Sequence, residues 1–210
     1  EPGQKLSKGK TYESNSVMLQ AALQTIGLKK TKVYKVKDNL KATKKALKEI
    51  LKKNDIVLIS GGISVGDYDF VKEALLENGV QELFYKINQK PGKPMFFGSK
   101  NDTLVFALPG NPASSLTNFY IYVYPAIKNR MGFSDIHLKK MLRKLNDNVT
   151  NTTGKTLFLK ALYDETHVTV LNGQSSAMLN TFAIANSLLV VPNDVESLKK
   201  GQLVTLLPID

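Results

Sequence analysis

The sequence predicts an α/β protein in two parts, a three-layer α/β domain with a mostly parallel sheet over residues 1–133 and a small all-β domain over residues 134–210. Three observations carry this. Apolar runs and helical stripes alternate as far as residue 131, the pattern of strands and helices layered on one sheet. The run Asp55-Ile56-Val57-Leu58-Ile59-Ser60 is apolar on both faces, as a central strand requires. From residue 146 the helical period is lost, and short β-rich runs at 156–163, 166–171, 187–192 and 202–207 are separated by turn signals such as Asn172-Gly173 and Lys200-Gly201. Those runs read as a sandwich or partial barrel.

Residues 1–12 form a polar entry segment and read as the middle of a longer protein. Residues 14–27 predict a helix capped by Ser14 or Asn15, with Leu19, Ala22, Leu23 and Ile26 on one face and Gly27 as its stop. A short strand is expected at 32–37 around Val33 and Val36. A helix over 39–53 buries Leu47, Ile50 and Leu51 beneath a coat of lysines. After the strand at 55–60 come a glycine loop and a helix from Tyr68 to Asn78, ended by Gly79. Strands follow at 82–87 and 103–108, with Met95-Phe96-Phe97 between them. The break Pro109-Gly110-Asn111-Pro112 then opens a long helix from Ala113 to Met131, whose Tyr and Phe residues at 119–124 read as core or interface. Residues 134–145 show no clear stripe.

Composition excludes several chemistries. With no cysteine there is no disulfide, thiolate metal site or cysteine nucleophile, which fits a cytoplasmic setting. His137 and His167, the two histidines, lie far from the loops described below. No run approaches the ~20 apolar residues of a membrane span. The net charge of +11 comes almost wholly from lysine, since Arg130 and Arg143 are the two arginines. Eleven lysines fall in 29–53. A nucleic-acid surface is one reading of them, but the lack of arginine and of interleaved aromatics argues for a solvated helix face.

Three polar clusters should gather at the carboxyl ends of the strands, where open α/β sheets bind ligands. The first is Gly61-Gly62-Ile63-Ser64-Val65-Gly66, whose paired glycines serve either a tight turn or close approach of backbone N–H groups to an anion. The second is acidic, with Asp67 and Asp69 after that loop and Asp38 before the second helix. These are helix caps or ligands of a hard cation such as Mg²⁺. The third combines Pro91-Gly92-Lys93-Pro94 with Pro109-Gly110-Asn111-Pro112-Ala113-Ser114-Ser115, either two turns and a helix start or a lysine and hydroxyls for an oxyanion.

Taken in order, these motifs resemble the C-terminal half of the MoeA, or molybdopterin molybdenumtransferase, family, whose fold the gephyrin E domain shares. The resemblance rests on Ser14-Asn15, the 60–66 loop with Asp69 and Lys72, Pro91–Pro94, Leu108–Pro112, Gly173-Gln174-Ser175-Ser176-Ala177-Met178-Leu179 and Ala185–Pro192. It implies a MoaB/MogA-like molybdopterin-binding domain followed by a barrel-like β domain. It also implies insertion of molybdate into adenylylated molybdopterin, with release of AMP and dependence on Mg²⁺. Asp38 and Asp69 would serve metal and catalysis. Gly61, Gly62, Ser64 and Gly66 would hold the terminal phosphate region of the pterin, Lys93, Pro94 and Ser114 or Ser115 the molybdate, and Gly110 and Asn111 would bind substrate as well. A homodimer and a partner adenylyltransferase are implied as well. Two departures stand out. The family's Gly-Asp-Glu-Leu motif is absent from this chain, and Lys155 and Lys160 stand where relatives carry arginine. The alternatives are a pterin-binding or scaffold module without turnover, and a molybdopterin adenylyltransferase.

Overall fold

Side chains alternate across β-strands and recur on one face of helices, and here that rule sorts the first 130 residues into three layers. A computed structural model describes residues 3, 5–9, 12–63 and 70–209. Its elements are α1 (Asn15–Thr25), α2 (Leu40–Ile50), β1 (Ile56–Ser60), α3 (Phe70–Glu77), β2 (Gln81–Tyr85), β3 (Gln89–Lys90), β4 (Phe96–Lys100), β5 (Thr103–Leu108), α4 (Pro112–Asn118) and α5 (Tyr124–Arg130). The sheet runs β1-β5-β4-β2. Val57, Val105, Ala107 and Phe96 face a core filled by Leu47 and Ile50 of α2 and by Val71, Ala74 and Leu75 of α3. On the other side Phe106 and Leu108 meet Leu19 and Ala22 of α1 and Leu116 of α4.

The remaining elements are β6 (Met141–Leu145), β7 (Val149–Thr150), β8 (Thr156–Tyr163), β9 (His167–Val170), β10 (Ser187–Val191), β11 (Ser197–Leu198) and β12 (Leu203–Pro208). The ladders β8–β10, β10–β12, β12–β6, β6–β9 and β9–β8 close a five-stranded barrel. Closure satisfies both edges of every member strand, a solution open to a domain this small. Leu145, Ala161, Val168, Leu189 and Leu206 fill the interior. On the outside of the barrel, Phe158, Leu188 and Leu207 bury themselves against Tyr120 and Ile121. The aromatic stretch at 119–124 therefore serves both core and interface.

Several sequence expectations need correction. The sheet is mixed: β1–β5 is parallel, but β4–β5 and β2–β4 are antiparallel. The two-residue link Asn101-Asp102 forces a hairpin between β4 and β5, and Asn101 takes the left-handed φ of 50° that such a turn demands. Residues 32–37 are no strand. They join no ladder among the described residues, and Val33, Tyr34 and Val36 are exposed. Ser14 holds the N-cap position of α1, as expected, but its side chain makes no cap hydrogen bond; the Glu13 carboxylate accepts from the Ser16 N–H at 2.8 Å instead. Asn39 caps α2 by accepting from the Ala42 N–H at 2.9 Å, which leaves Asp38 exposed and out of the cap. The long helix runs from Pro112 to Arg130 as expected, but its middle widens into a π-turn at Phe119–Val123 between α4 and α5. Pro125, without an N–H and with a ring that crowds the preceding turn, is accommodated by that wider turn. The lysines of α2 do coat a solvated face, with Leu47 and Ile50 inward.

Phe106 is 1% exposed and stacks on Phe97 at 4.5 Å between ring centroids. Phe106→Ala should therefore cost about 3–5 kcal/mol, read as a lower urea midpoint with an unchanged slope.

Candidate functional site: a lysine-lined cleft between sheet and barrel

β1 and β5 run in parallel and end together at Ser60 and Leu108, so the loops that follow share one end of the sheet. Asn15 binds them: its Nδ2 donates to Ser60 Oγ at 2.6 Å and to the Gly110 carbonyl at 2.8 Å. Gly61 and Gly62 take φ of +84° and +68°, and a Cβ on Gly62 would lie 2.6 Å from Val71, so both features require glycine. These loops form one wall of a cleft of about 960 Å³.

The opposite wall comes from the barrel, and a short ladder holds it in place. β3 leaves the α/β part and pairs in parallel with the start of β8, Gln89 opposite Thr156 and Lys90 opposite Leu157. The Pro91–Pro94 turn thus lies against the barrel. Thr150, Thr152, Thr153 and Lys155 line the cleft from one barrel loop, and Gln174, Ser175 and Ser176 from another. The second loop also reaches across. The Ser176 carbonyl accepts the N–H groups of Ala113 (3.0 Å) and Ser114 (3.4 Å), and Asn111 Nδ2 donates to Ser176 Oγ at 3.0 Å. The first free N–H groups of α4, expected to meet an anion, are therefore occupied by protein.

Lys160 fixes that loop from behind. It is 2% exposed, and its ammonium donates to the carbonyls of Gly173 (2.7 Å), Met178 (3.0 Å) and Ser175 (3.3 Å). Burial lowers its pKa from the ordinary lysine value, while three carbonyl acceptors favour the charged form. Gln174 adds a side-chain ladder to the Lys160 backbone, accepting from its N–H at 3.0 Å and donating to its carbonyl at 2.8 Å.

Of the residues singled out from sequence, Gly61, Gly62, Lys93, Pro94, Gly110, Asn111 and Ser114 converge on the cleft. Ser115 does not. It is fully buried, and its Oγ has no hydrogen-bond partner among the described residues. Asp38 is exposed before α2 and absent from the cleft lining. Ser64, Gly66, Asp67 and Asp69 lie outside the described residues. Among the described residues the lining holds three lysines, Lys90, Lys93 and Lys155, and no carboxylate. No group of three or more potential metal ligands occurs among them either. The described lining offers Mg²⁺ none of the carboxylate oxygens it takes, and the loop that carries Asp67 and Asp69 lies outside the described residues. The lining does fit an anion, with ammonium groups for charge and hydroxyls for hydrogen bonds. Sequence reasoning had not placed Lys90, the threonines of 150–153 or Gln174 at the site. The barrel's polar runs at 150–153 and 173–176 were visible, but their position depends on the β3–β8 register.

Residues 2–129 match the family model described as "Probable molybdopterin binding domain". The chain belongs to that family. Residues 143–209 match the MoeA C-terminal region, domain IV. Molybdopterin molybdenumtransferase 2 of Mycobacterium tuberculosis is 32% identical over 209 residues, 95% of this chain and 51% of that protein. The molybdenum cofactor synthesis protein cinnamon of Drosophila melanogaster is 33% identical over 198 residues, 91% of this chain and 33% of that protein. Among solved structures, a molybdopterin biosynthesis MoeA protein from Pyrococcus horikoshii matches with a TM-score of 0.84 at 26% identity, covering all of this chain and 51% of its own. The chain thus spans about half the length, or less, of these relatives. The MoeA-type pairing of an α/β domain with a small barrel is the fold in hand.

Lys160→Met should strip the ammonium from the Gly173, Ser175 and Met178 carbonyls, of which Gly173 keeps the Thr181 hydroxyl and Ser175 the Met178 N–H, and cost about 1–3 kcal/mol. Hydrogen exchange should rise selectively over 173–178, while Lys160→Arg, which keeps charge and donors, should lose less.

Proposed function

We propose that this chain is the pterin- and molybdate-handling portion of a molybdopterin molybdenumtransferase, acting in molybdenum cofactor biosynthesis. The reaction assigned to the whole enzyme is insertion of molybdate into adenylylated molybdopterin with release of AMP. One observation carries the reading: the cleft at the strand ends joins three lysines to a set of hydroxyls, with no carboxylate among its described lining residues. Tetrahedral oxyanions and phosphates require such surroundings, and lysine supplies them as a point charge with rotatable donors. The names of the relatives point the same way.

In this reading Lys93 and Lys155, from opposite walls, neutralise the molybdate dianion. The hydroxyls of Ser114 and Ser176 orient its oxygens, and the left-handed backbone at Gly61 and Gly62 lets main-chain groups approach the phosphate of the pterin. Ser114 is preferred to Ser115, because it lines the cleft and Ser115 lies beneath it. No step is assigned to Mg²⁺ or to Asp38 and Asp69. The resemblance names those acids, but Asp38 stands apart from the cleft and Asp69 lies outside the described residues. The domain boundary near 133–134, the homodimer and the cytoplasmic setting belong to the same proposal and rest on the sequence and the resemblance.

Calorimetric titration of molybdate, and of adenylylated molybdopterin, into this chain tests the reading. Binding is expected, with Lys93→Met and Lys155→Met each weakening molybdate about tenfold, some 1.4 kcal/mol. Binding that both variants leave unchanged would remove the cleft from consideration.

A further inference from the structure

Beneath the Pro91–Pro94 turn lies a buried polar network that the anion reading leaves unused. Gln89 is 3% exposed and Asn118 fully buried. Gln89 Nε2 donates to Asn118 Oδ1 at 2.7 Å and to the Pro91 carbonyl at 2.9 Å. Asn118 Nδ2 donates to the Gly92 carbonyl at 3.0 Å. The Tyr122 hydroxyl donates to Gln89 Oε1 at 2.6 Å, and burial raises its pKa, which keeps the phenol protonated as a donor. The amide orientations follow from the network itself. A rotated Asn118 would set two NH₂ groups face to face and its oxygen against a carbonyl. Every amide oxygen and nitrogen has a partner, and a buried network so connected favours one geometry.

What the network holds is one short stretch of backbone. Its two carbonyls, of Pro91 and Gly92, immediately precede Lys93. Gly92 has a φ of +92°, and a Cβ there would come within 2.2 Å of Asn118 Oδ1, so the turn rests directly on that side chain. On the far side, the Lys93 carbonyl accepts the Ile87 N–H at 3.0 Å. The backbone is thus tied on both sides of the lysine. Asn118 itself is absent from the cleft lining and sits at the end of α4, where the π-turn begins. Filling a core needs no amides at these positions, since apolar side chains would do so without the cost of burying polar groups. Two amides and a phenol converging on consecutive carbonyls serve to set a loop.

We propose that Asn118, backed by Gln89 and Tyr122, is a positioning residue that sets Lys93 for oxyanion binding in the cleft, an inference that rests on the anion reading given above. The test is a double-mutant cycle on the full chain with molybdate as probe, using the unmodified protein, Asn118→Ala, Lys93→Met and the double variant. Amide exchange at Gly92 and Lys93 is followed by NMR alongside. Asn118→Ala should weaken molybdate about tenfold in the folded protein, speed exchange at those two amides, and add nothing once Lys93 is gone. Tyr122→Phe keeps the ring against Phe84 and removes only the outermost bond. It should fold normally and weaken binding two- to threefold, so the inference stays open to test if Asn118→Ala fails to fold. A purely structural role would lower the unfolding midpoint and leave the affinity of the folded protein unchanged. Additive losses in the cycle, or full affinity in Tyr122→Phe with unaltered exchange, would overturn the positioning role while leaving the anion site standing. An unmodified chain that binds no molybdate overturns the anion site and this inference together.

Discussion

Two residues of the α/β part, Gln89 and Lys90, pair with the first two residues of β8, and the rest of the site depends on that short parallel ladder. It carries the Pro91–Pro94 turn to the barrel and so decides which barrel loops face the strand ends. Other contacts extend the junction. Asn88 Nδ2 donates to the Gly154 carbonyl at 3.1 Å, the Ser176 carbonyl takes two N–H groups from the start of α4, and the π-turn buries Tyr120 against Phe158 and Leu188. Apolar packing supplies the area of this junction, and the hydrogen bonds supply its register. Neither alone would place Lys93 and Lys155 on facing walls.

Much of the fold was legible because burial writes itself into sequence. β1 and β5 are apolar on both faces and could hardly be anything but inner strands, and α2 separates its leucines from its lysines at helical spacing. What was not legible depended on partners distant in sequence. Residues 32–37 alternate like a strand, yet alternation does not supply a neighbouring strand, and they join no ladder among the described residues. Asn15, a good cap by type, is committed instead to Ser60 and Gly110, and the Glu13 carboxylate takes the Ser16 N–H. The tertiary demand outweighed the local preference.

The site divides along the same line. Its glycine and proline turns announce themselves locally, and the loops at 61–62, 91–94 and 109–112 converge as strand order requires. The barrel wall does not announce itself, because the place of Thr150–Thr153 and Gln174–Ser176 opposite the strand ends depends on the β3–β8 register. Ser114 and Ser115, adjacent and alike in sequence, are separated only by the rotation of a short helix, which turns one to the cleft and the other to the core. Lys160 was visible as a lysine in place of an arginine, but its buried role as a clasp on three carbonyls was not.

The exclusive use of lysine in the cleft has a physical consequence. A lysine head group recognises charge more than planar shape, so the grip of this cleft on an anion should follow the ionic strength around it. Lys90 and Lys93 are exposed at the rim, where mobile ions screen them over a Debye length of about 8 Å at physiological strength. Lys155 is half-buried and less open to that screening. As salt rises, the attraction that draws an anion toward the rim should fade before the hold exerted from the barrel wall, so entry is more sensitive to the medium than retention.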